Sequence, residues 1–147
     1  MIELDDIDPA LREGVAALAR EMRSNGYQRR DPVREIFGLI GDKWTTLILL
    51  VLSIGPWRHA ELRRVLGRLG SEERISQRML TLKLRSLERH GVVLRTVTAD
   101  IPPKVSYALS DLGVSLTSEA QRLIRWVQAN RMTIDTARAL FDATQAE

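Results

Sequence analysis

The sequence contains no cysteine. Disulfides, thiolate metal sites and thiol redox sensing are therefore excluded for this chain. It has only two histidines, His59 and His90. They lie in different segments, without HxxxH or HExxH spacing, so no metal site is expected. Aromatic residues make up 5% of the chain. No GxSxG, GxxxxGK[ST] or GxGxxG occurs. Gly67-Arg68-Leu69-Gly70 reads as a loop, not a phosphate cradle, and no serine has a convincing base partner. No catalytic residue and no cofactor are implied. The longest apolar run is LILLVL, residues 47–52, too short to cross a bilayer and better read as a buried helix. The start, MIELDDID, lacks the basic-then-apolar order of a signal peptide. A cytoplasmic protein without membrane partners is the expectation.

What is present is an ordinary globular balance. The 147 residues are 44% hydrophobic and 28% charged, enough for one domain with a real core. Net charge is only +3, but it is unevenly spread. Acid gathers at Glu3, Asp5, Asp6 and Asp8. Base dominates from Arg63 to Arg95, through Arg64, Arg68, Arg74, Arg78, Lys83, Arg85 and Arg89. Only Glu72, Glu73 and Glu88 oppose it there. Such an excess suits a polyanion partner. A solvated helix face is the commoner origin of a charge run.

Asp8-Pro9 and Asp31-Pro32 are both helix starts, a capping side chain followed by proline at the first helical position. Leu11, Val15, Leu18 and Met22 then form one apolar face, and Ser24-Asn25-Gly26 ends the first helix. Val33, Ile36, Phe37 and Ile40 continue the second helix to Gly41-Asp42. A third runs from about Lys43 to Ser53, stopped by Gly55-Pro56. A shorter helix is predicted for Ala60 to Leu66, with a loop from Gly67 to Gly70. Residues 76–89 form the next, with Met79, Leu80, Leu84 and Leu87 as the inward stripe and His90-Gly91 as the stop. Ser71-Glu72-Glu73 is a competing start for it, with acid at the positive dipole end. Val92–Thr98 and Lys104–Leu109 alternate as paired strands, with Val105, Tyr107 and Leu109 on one face. Asp111 opens a long helix with Leu112, Leu116, Ala120, Leu123 and Val127 at near-heptad spacing. A last helix spans roughly 132–143.

This order predicts a mainly α fold with a small two-stranded β wing. It is a winged helix-turn-helix with helices at both ends. Pro102-Pro103 fixes two φ angles and removes two amide donors, which stiffens the wing tip and blunts its edge.

The segments DPV (31–33), IGDKWT (40–45), GPWRHAELRR (55–64), ISQRMLTLKLRSLERHGVV (75–93) and IPPKVSYALSDLG (101–113) carry a resemblance. In order and spacing the chain resembles the HxlR-type regulators, winged-helix transcription factors related in shape to MarR proteins. The resemblance covers about residues 31–128. It implies a homodimer that binds an inverted-repeat operator in double-stranded DNA and pairs through N- and C-terminal helices. The corresponding division is an N-terminal arm at 1–30, a DNA-binding core at 31–110 and dimerisation helices at 111–147. Three features depart from the family. Asp31 stands where many members carry cysteine, His59-Ala60 replaces a Phe-Ser pair, and the connection RLGSEER (68–74) is longer by several residues.

With Leu80, Leu84 and Leu87 inward, the opposite stripe of helix 76–89 carries Gln77, Arg78, Thr81, Leu82 and Arg85. Gln suits adenine edges and Arg suits guanine. Ser76 and the first amides suit a phosphate. Leu82 fits a thymine methyl or, equally, a neighbouring helix. Lys104 in the wing (94–109) is placed to reach a phosphate or the minor groove, Arg95 is a second backbone candidate, and Asp100 nearby weakens the contact. Trp57 and Trp126 are candidates to line an apolar pocket for a small-molecule effector, although aromatic residues at such spacing are more often core. The expected function is a DNA-binding regulator, with repression the expected direction. The competing reading is a winged-helix interaction or effector-binding module that does not read DNA.

Overall fold

The computed structural model describes residues 4–24, 30–70 and 74–146. The chain divides into two compact units, one ending at Asp42 and one beginning at Lys43.

In the first unit, a 3₁₀ turn (Leu4–Asp6) precedes helix α1 (Pro9–Ser24). Asp8 Oδ1 accepts from Ala10 N at 3.0 Å, and Arg12 Nε donates to Ile7 O at 2.9 Å, which ties the turn to the helix. Asn25 and Gly26, expected to stop α1, lie outside the described residues. Helix α2 (Pro32–Ile40) starts as its sequence implies: Asp31 Oδ1 accepts from Val33 N at 2.8 Å. The residue that replaces the family's cysteine is thus a helix cap. Leu11, Leu18 and Met22 of α1 stay exposed.

The second unit is built on helix α3 (Lys43–Leu52). A helix apolar on all sides must be covered on all sides. Here α3 packs against helix α4 (His59–Leu69), strand β3 (Val105–Leu109) and helix α6 (Asp111–Ala129). Ile48, Leu49, Val51 and Leu52 of α3 are fully buried with Leu62 and Leu66 of α4. Helix α5 (Gln77–Arg89) adds Leu80, Leu84 and Leu87 to the same core. Truncating one of these leucines to alanine costs about 2–5 kcal/mol.

Three expectations are corrected. Helix α4 runs on through Gly67 to Leu69, with Gly70 N donating to Leu66 O at 2.8 Å. Burial of Leu62 and Leu66 outweighs the roughly 1 kcal/mol that glycine costs inside a helix. The sheet has three strands, in the order β1-β3-β2, because Trp57–Arg58 forms a two-residue strand β1. Two residues are too few for an alternation signal. Met79 is not inward; it is 44% exposed. At 100° per residue it sits about 107° from the mean of Leu80, Leu84 and Leu87, nearly a third of a turn.

Strands β2 (Val93–Val97) and β3 pair antiparallel, with Arg95 opposite Tyr107 and Thr96 opposite Ser106. Only Val93 of β2 is buried, so the hairpin projects from the core as a wing. Its far end closes where Thr98 N donates to Lys104 O and Lys104 N donates to Thr98 Oγ1, both at 2.9 Å. Helix α7 (Arg131–Gln145) follows α6 directly at Asn130.

One joint fixes α5, the wing and α6 together. Gly91 has φ +74, and Val92 N donates to Leu87 O while Gly91 N donates to Glu88 O. That is the paired ending that favours glycine after a helix. Ser110 N then donates to Val92 O at 3.0 Å, and Ser110 Oγ caps α6 by accepting from Gly113 N at 3.0 Å. The approach is so close that a Cβ on Gly113 would lie 2.1 Å from Val92 O. Backbone cannot yield as a flexible side chain can. We expect Gly113→Ala to destabilise the fold by at least about 3 kcal/mol, the upper part of the usual overpacking range, as read by urea unfolding. An unchanged midpoint would refute this packing.

Candidate nucleic-acid interface

Burial of Leu80, Leu84 and Leu87 decides which side of α5 meets solvent. Gln77, Arg78, Thr81, Leu82 and Arg85 together line one shallow depression of about 500 Å³. These are the five residues of the predicted reading stripe. Leu82 is 56% exposed and so is not tucked against a neighbouring helix. Ser76 is the N-cap, its Oγ accepting from Met79 N at 3.0 Å. The competing start at Ser71-Glu72-Glu73 lies outside the described residues.

Thr81 is the most constrained member. Its Oγ1 donates to Gln77 O at 2.9 Å and lies 3.0 Å from His59 Nε2. With the hydroxyl proton committed to Gln77, His59 supplies the other proton and carries it on Nε2. The His59 ring also faces that of Tyr107 in β3, centroids 6.3 Å apart. His59 therefore touches both α5 and β3, the central strand of the sheet. Burial, and secondly the Arg63 guanidinium, hold its imidazole below the ordinary value of 6.5.

Arg95 is exposed on β2, and Lys104 is exposed at the wing tip. They share the hairpin but not the depression on α5. Ile101, beside the two prolines, is 97% exposed. Trp57 Nε1 donates to Val51 O at 3.0 Å, which makes it a tie between β1 and α3. Trp126 is 59% exposed on α6. Neither tryptophan lines the depression on α5 or either of the other two cavities described below.

Sequence inspection missed a second feature. His59, Arg63, Arg64, Arg68, Arg74 and Gln77 line a cleft of about 580 Å³ between α4 and the start of α5. The signal was present: positions 63, 64, 67 and 68 fall within one 140° arc of a helix, at 100° per residue. Along the sequence these arginines read only as a local excess of charge. Another cavity, about 390 Å³, lies among Leu52, Pro56, Leu109, Val114 and Thr117.

A helix-turn-helix whose second helix exposes such a stripe, followed by an antiparallel wing, defines a winged-helix DNA-binding protein. Residues 39–135 match the HxlR-like helix-turn-helix family, and the chain belongs to it. It is 34% identical over 119 residues to the uncharacterized HTH-type transcriptional regulator YybR of Bacillus subtilis, covering 80% of this chain and 90% of that protein. The regulator YdeP of the same organism is 37% identical over 108 residues, 74% of this chain and 80% of YdeP. Among solved structures, that of YtfH from Salmonella typhimurium is similar with TM-score 0.63 and 30% identity, over 78% of this chain and 97% of that one. The redox regulator HypR in its reduced form gives TM-score 0.60 and 35% identity, over 71% of this chain and 98% of that one. The chain is a helix-turn-helix transcriptional regulator that binds DNA. No helix of the described residues is long and apolar enough to cross a membrane.

The depressed imidazole value of His59 has a consequence for stability. The unfolded chain binds the proton more readily than the folded one. Stability from neutral His59 is complete above pH 6.5 and is lost as the pH falls from there through the lower folded value. Thermal melts of the protein and of His59→Gln between pH 7.5 and 5.5 should show the flatter pH dependence in the variant. Parallel curves would contradict the assignment.

Proposed function

We propose that the chain acts as a homodimeric repressor of an inverted-repeat operator. Two copies of α5 enter successive major grooves about 34 Å apart. Gln77, Arg78, Thr81, Leu82 and Arg85 read bases. Ser76, Arg95 and Lys104 contact phosphates. The observation that carries this reading is the shared depression formed by those five side chains on the exposed side of α5.

Dimerisation is supported by apolar surface that one copy leaves uncovered. Leu11 and Leu18 of α1, Leu123 and Trp126 of α6, and Leu140 and Phe141 of α7 are all exposed. Exposed apolar side chains in elements near both ends of so small a chain suit an interface between copies. Residues 1–30 and 111–147 thus serve as dimerisation arms around a core at 31–110. HypR is named as a redox regulator. With no cysteine in this sequence, thiol chemistry does not carry over.

The test is fluorescence anisotropy against the chain's own upstream DNA and a scrambled duplex of equal length. Arg78→Ala and Gln77→Ala should each lose about 1–3 kcal/mol of preference for the operator. Equal loss on both duplexes would refute a base-reading role. Lys104→Ala should weaken both duplexes alike and lower the salt slope by about 0.9. Absence of DNA binding by the parent would favour an interaction module instead.

A further inference from the structure

We infer that His59 is a specificity-determining residue that acts through Thr81. It holds the Thr81 hydroxyl as a pure hydrogen-bond acceptor, so that this position selects a base bearing an amino group, adenine or cytosine. This deepens the DNA-reading function proposed above and rests on it.

A threonine hydroxyl has one proton to give and two lone pairs with which to accept. The Thr81 proton goes to the main-chain carbonyl of Gln77, 2.9 Å away. A carbonyl has no proton to offer, so the direction of that contact is fixed. One lone pair takes the Nε2 proton of His59, with Nε2 at 3.0 Å from Oγ1. A single lone pair is left over. Thr81 lines the depression on the exposed side of α5 with Gln77, Arg78, Leu82 and Arg85. In the major groove, adenine N6 and cytosine N4 can give a proton to that lone pair. Guanine O6 and thymine O4 are acceptors and would meet it oxygen to oxygen.

His59 is what keeps the hydroxyl in this state. A helical threonine divides between two χ1 rotamers, because its hydroxyl can bond the carbonyl three or four residues back. The His59 contact favours the rotamer bonded to Gln77, four residues back. A hydroxyl that accepts one hydrogen bond also donates the stronger one, which commits its proton further. The imidazole is itself held, its ring facing that of the buried Tyr107 in β3. Nε2 bears a proton in the neutral ring that these contacts require and also in the imidazolium, so the acceptor state survives a change of charge. The resembling family carries phenylalanine at this place, which offers no proton to Thr81. There the threonine is free to exchange rotamers and to turn either its methyl or its hydroxyl to the groove. Base choice in this chain thus depends on a side chain of α4 that does not itself face the depression.

The experiment is anisotropy competition with operator duplexes in which each base pair is replaced in turn, symmetrically in both halves, by the other three. The proteins are the parent, His59→Phe, His59→Gln, Thr81→Val and His59→Phe/Thr81→Val, with folding checked by circular dichroism. The parent should require adenine or cytosine at the position that Thr81→Val relaxes. His59→Phe should lower that preference by roughly two- to ten-fold, the range for one neutral hydrogen bond, and leave the other positions as they were. Glutamine places an amide N–H near the site of Nε2, so His59→Gln should keep most of the preference. The double variant should lose no more than Thr81→Val alone, because the two residues act as one unit. A profile unchanged in Thr81→Val, or a parent that selects guanine or thymine at the position this variant relaxes, would overturn the acceptor assignment. An unchanged profile in His59→Phe, with a parent that still prefers its operator, would overturn the role of His59 alone. Loss spread over every position, or equal weakening on a scrambled duplex, would overturn it in favour of a packing defect. A parent without any sequence preference would overturn both the inference and the function beneath it.

Discussion

Burial of Leu80, Leu84 and Leu87 sets the rotation of α5 about its own axis, and the rest of the interface follows from that rotation. A helix rotated by one residue, 100°, would replace Arg78 and Leu82 on the exposed side by different side chains. The three leucines prevent this because they lie in the same core as Ile48 and Leu49 of α3 and Leu62 and Leu66 of α4. Unseating any of them forfeits kilocalories, whereas the outward residues are free to vary with little cost to the fold. Stability, and the specificity proposed for this protein, are thus carried on opposite sides of one thirteen-residue helix.

The same core positions the wing. The backbone turn at Gly91, the carbonyl of Val92 and the side chain of Ser110 join the end of α5, the start of β2 and the start of α6. His59 makes a second link, from the beginning of α4 to Thr81 and to the ring of Tyr107. A phenylalanine at this place, as in the resembling family, could stack on Tyr107 but could not hydrogen-bond Thr81. The histidine exchanges apolar packing for a directed contact and brings a pH dependence with it.

Much of this was legible in the sequence, for identifiable reasons. Asp31-Pro32, Ser76 and Gly91 announce helix ends through local chemistry, and each acts as its residue type implies. That Gln77, Arg78, Thr81, Leu82 and Arg85 share one side of α5 followed from a 3.6-residue period anchored on three leucines. What escaped depends on tertiary context. Strand β1 is two residues long and exists only because β3 offers it an edge. Gly67 reads as a loop until Leu62 and Leu66 hold the helix through it. Met79 has the hydrophobicity of a core residue but the wrong angle. The arginine cleft needs residues on both sides of a connection, Arg63 and Arg74, to be brought to one place.

The central claim is that the exposed stripe of α5 chooses the base sequence. Selection from a pool of random duplexes tests it most directly, with the protein and Arg85→Gln run in parallel. Arginine pairs with guanine and glutamine with adenine in the major groove. The expected result is a two-fold symmetric motif for both proteins, differing at one base position in each half by a change from guanine to adenine. Identical motifs at every position, for this exchange and for the matching exchange at Arg78, would contradict it.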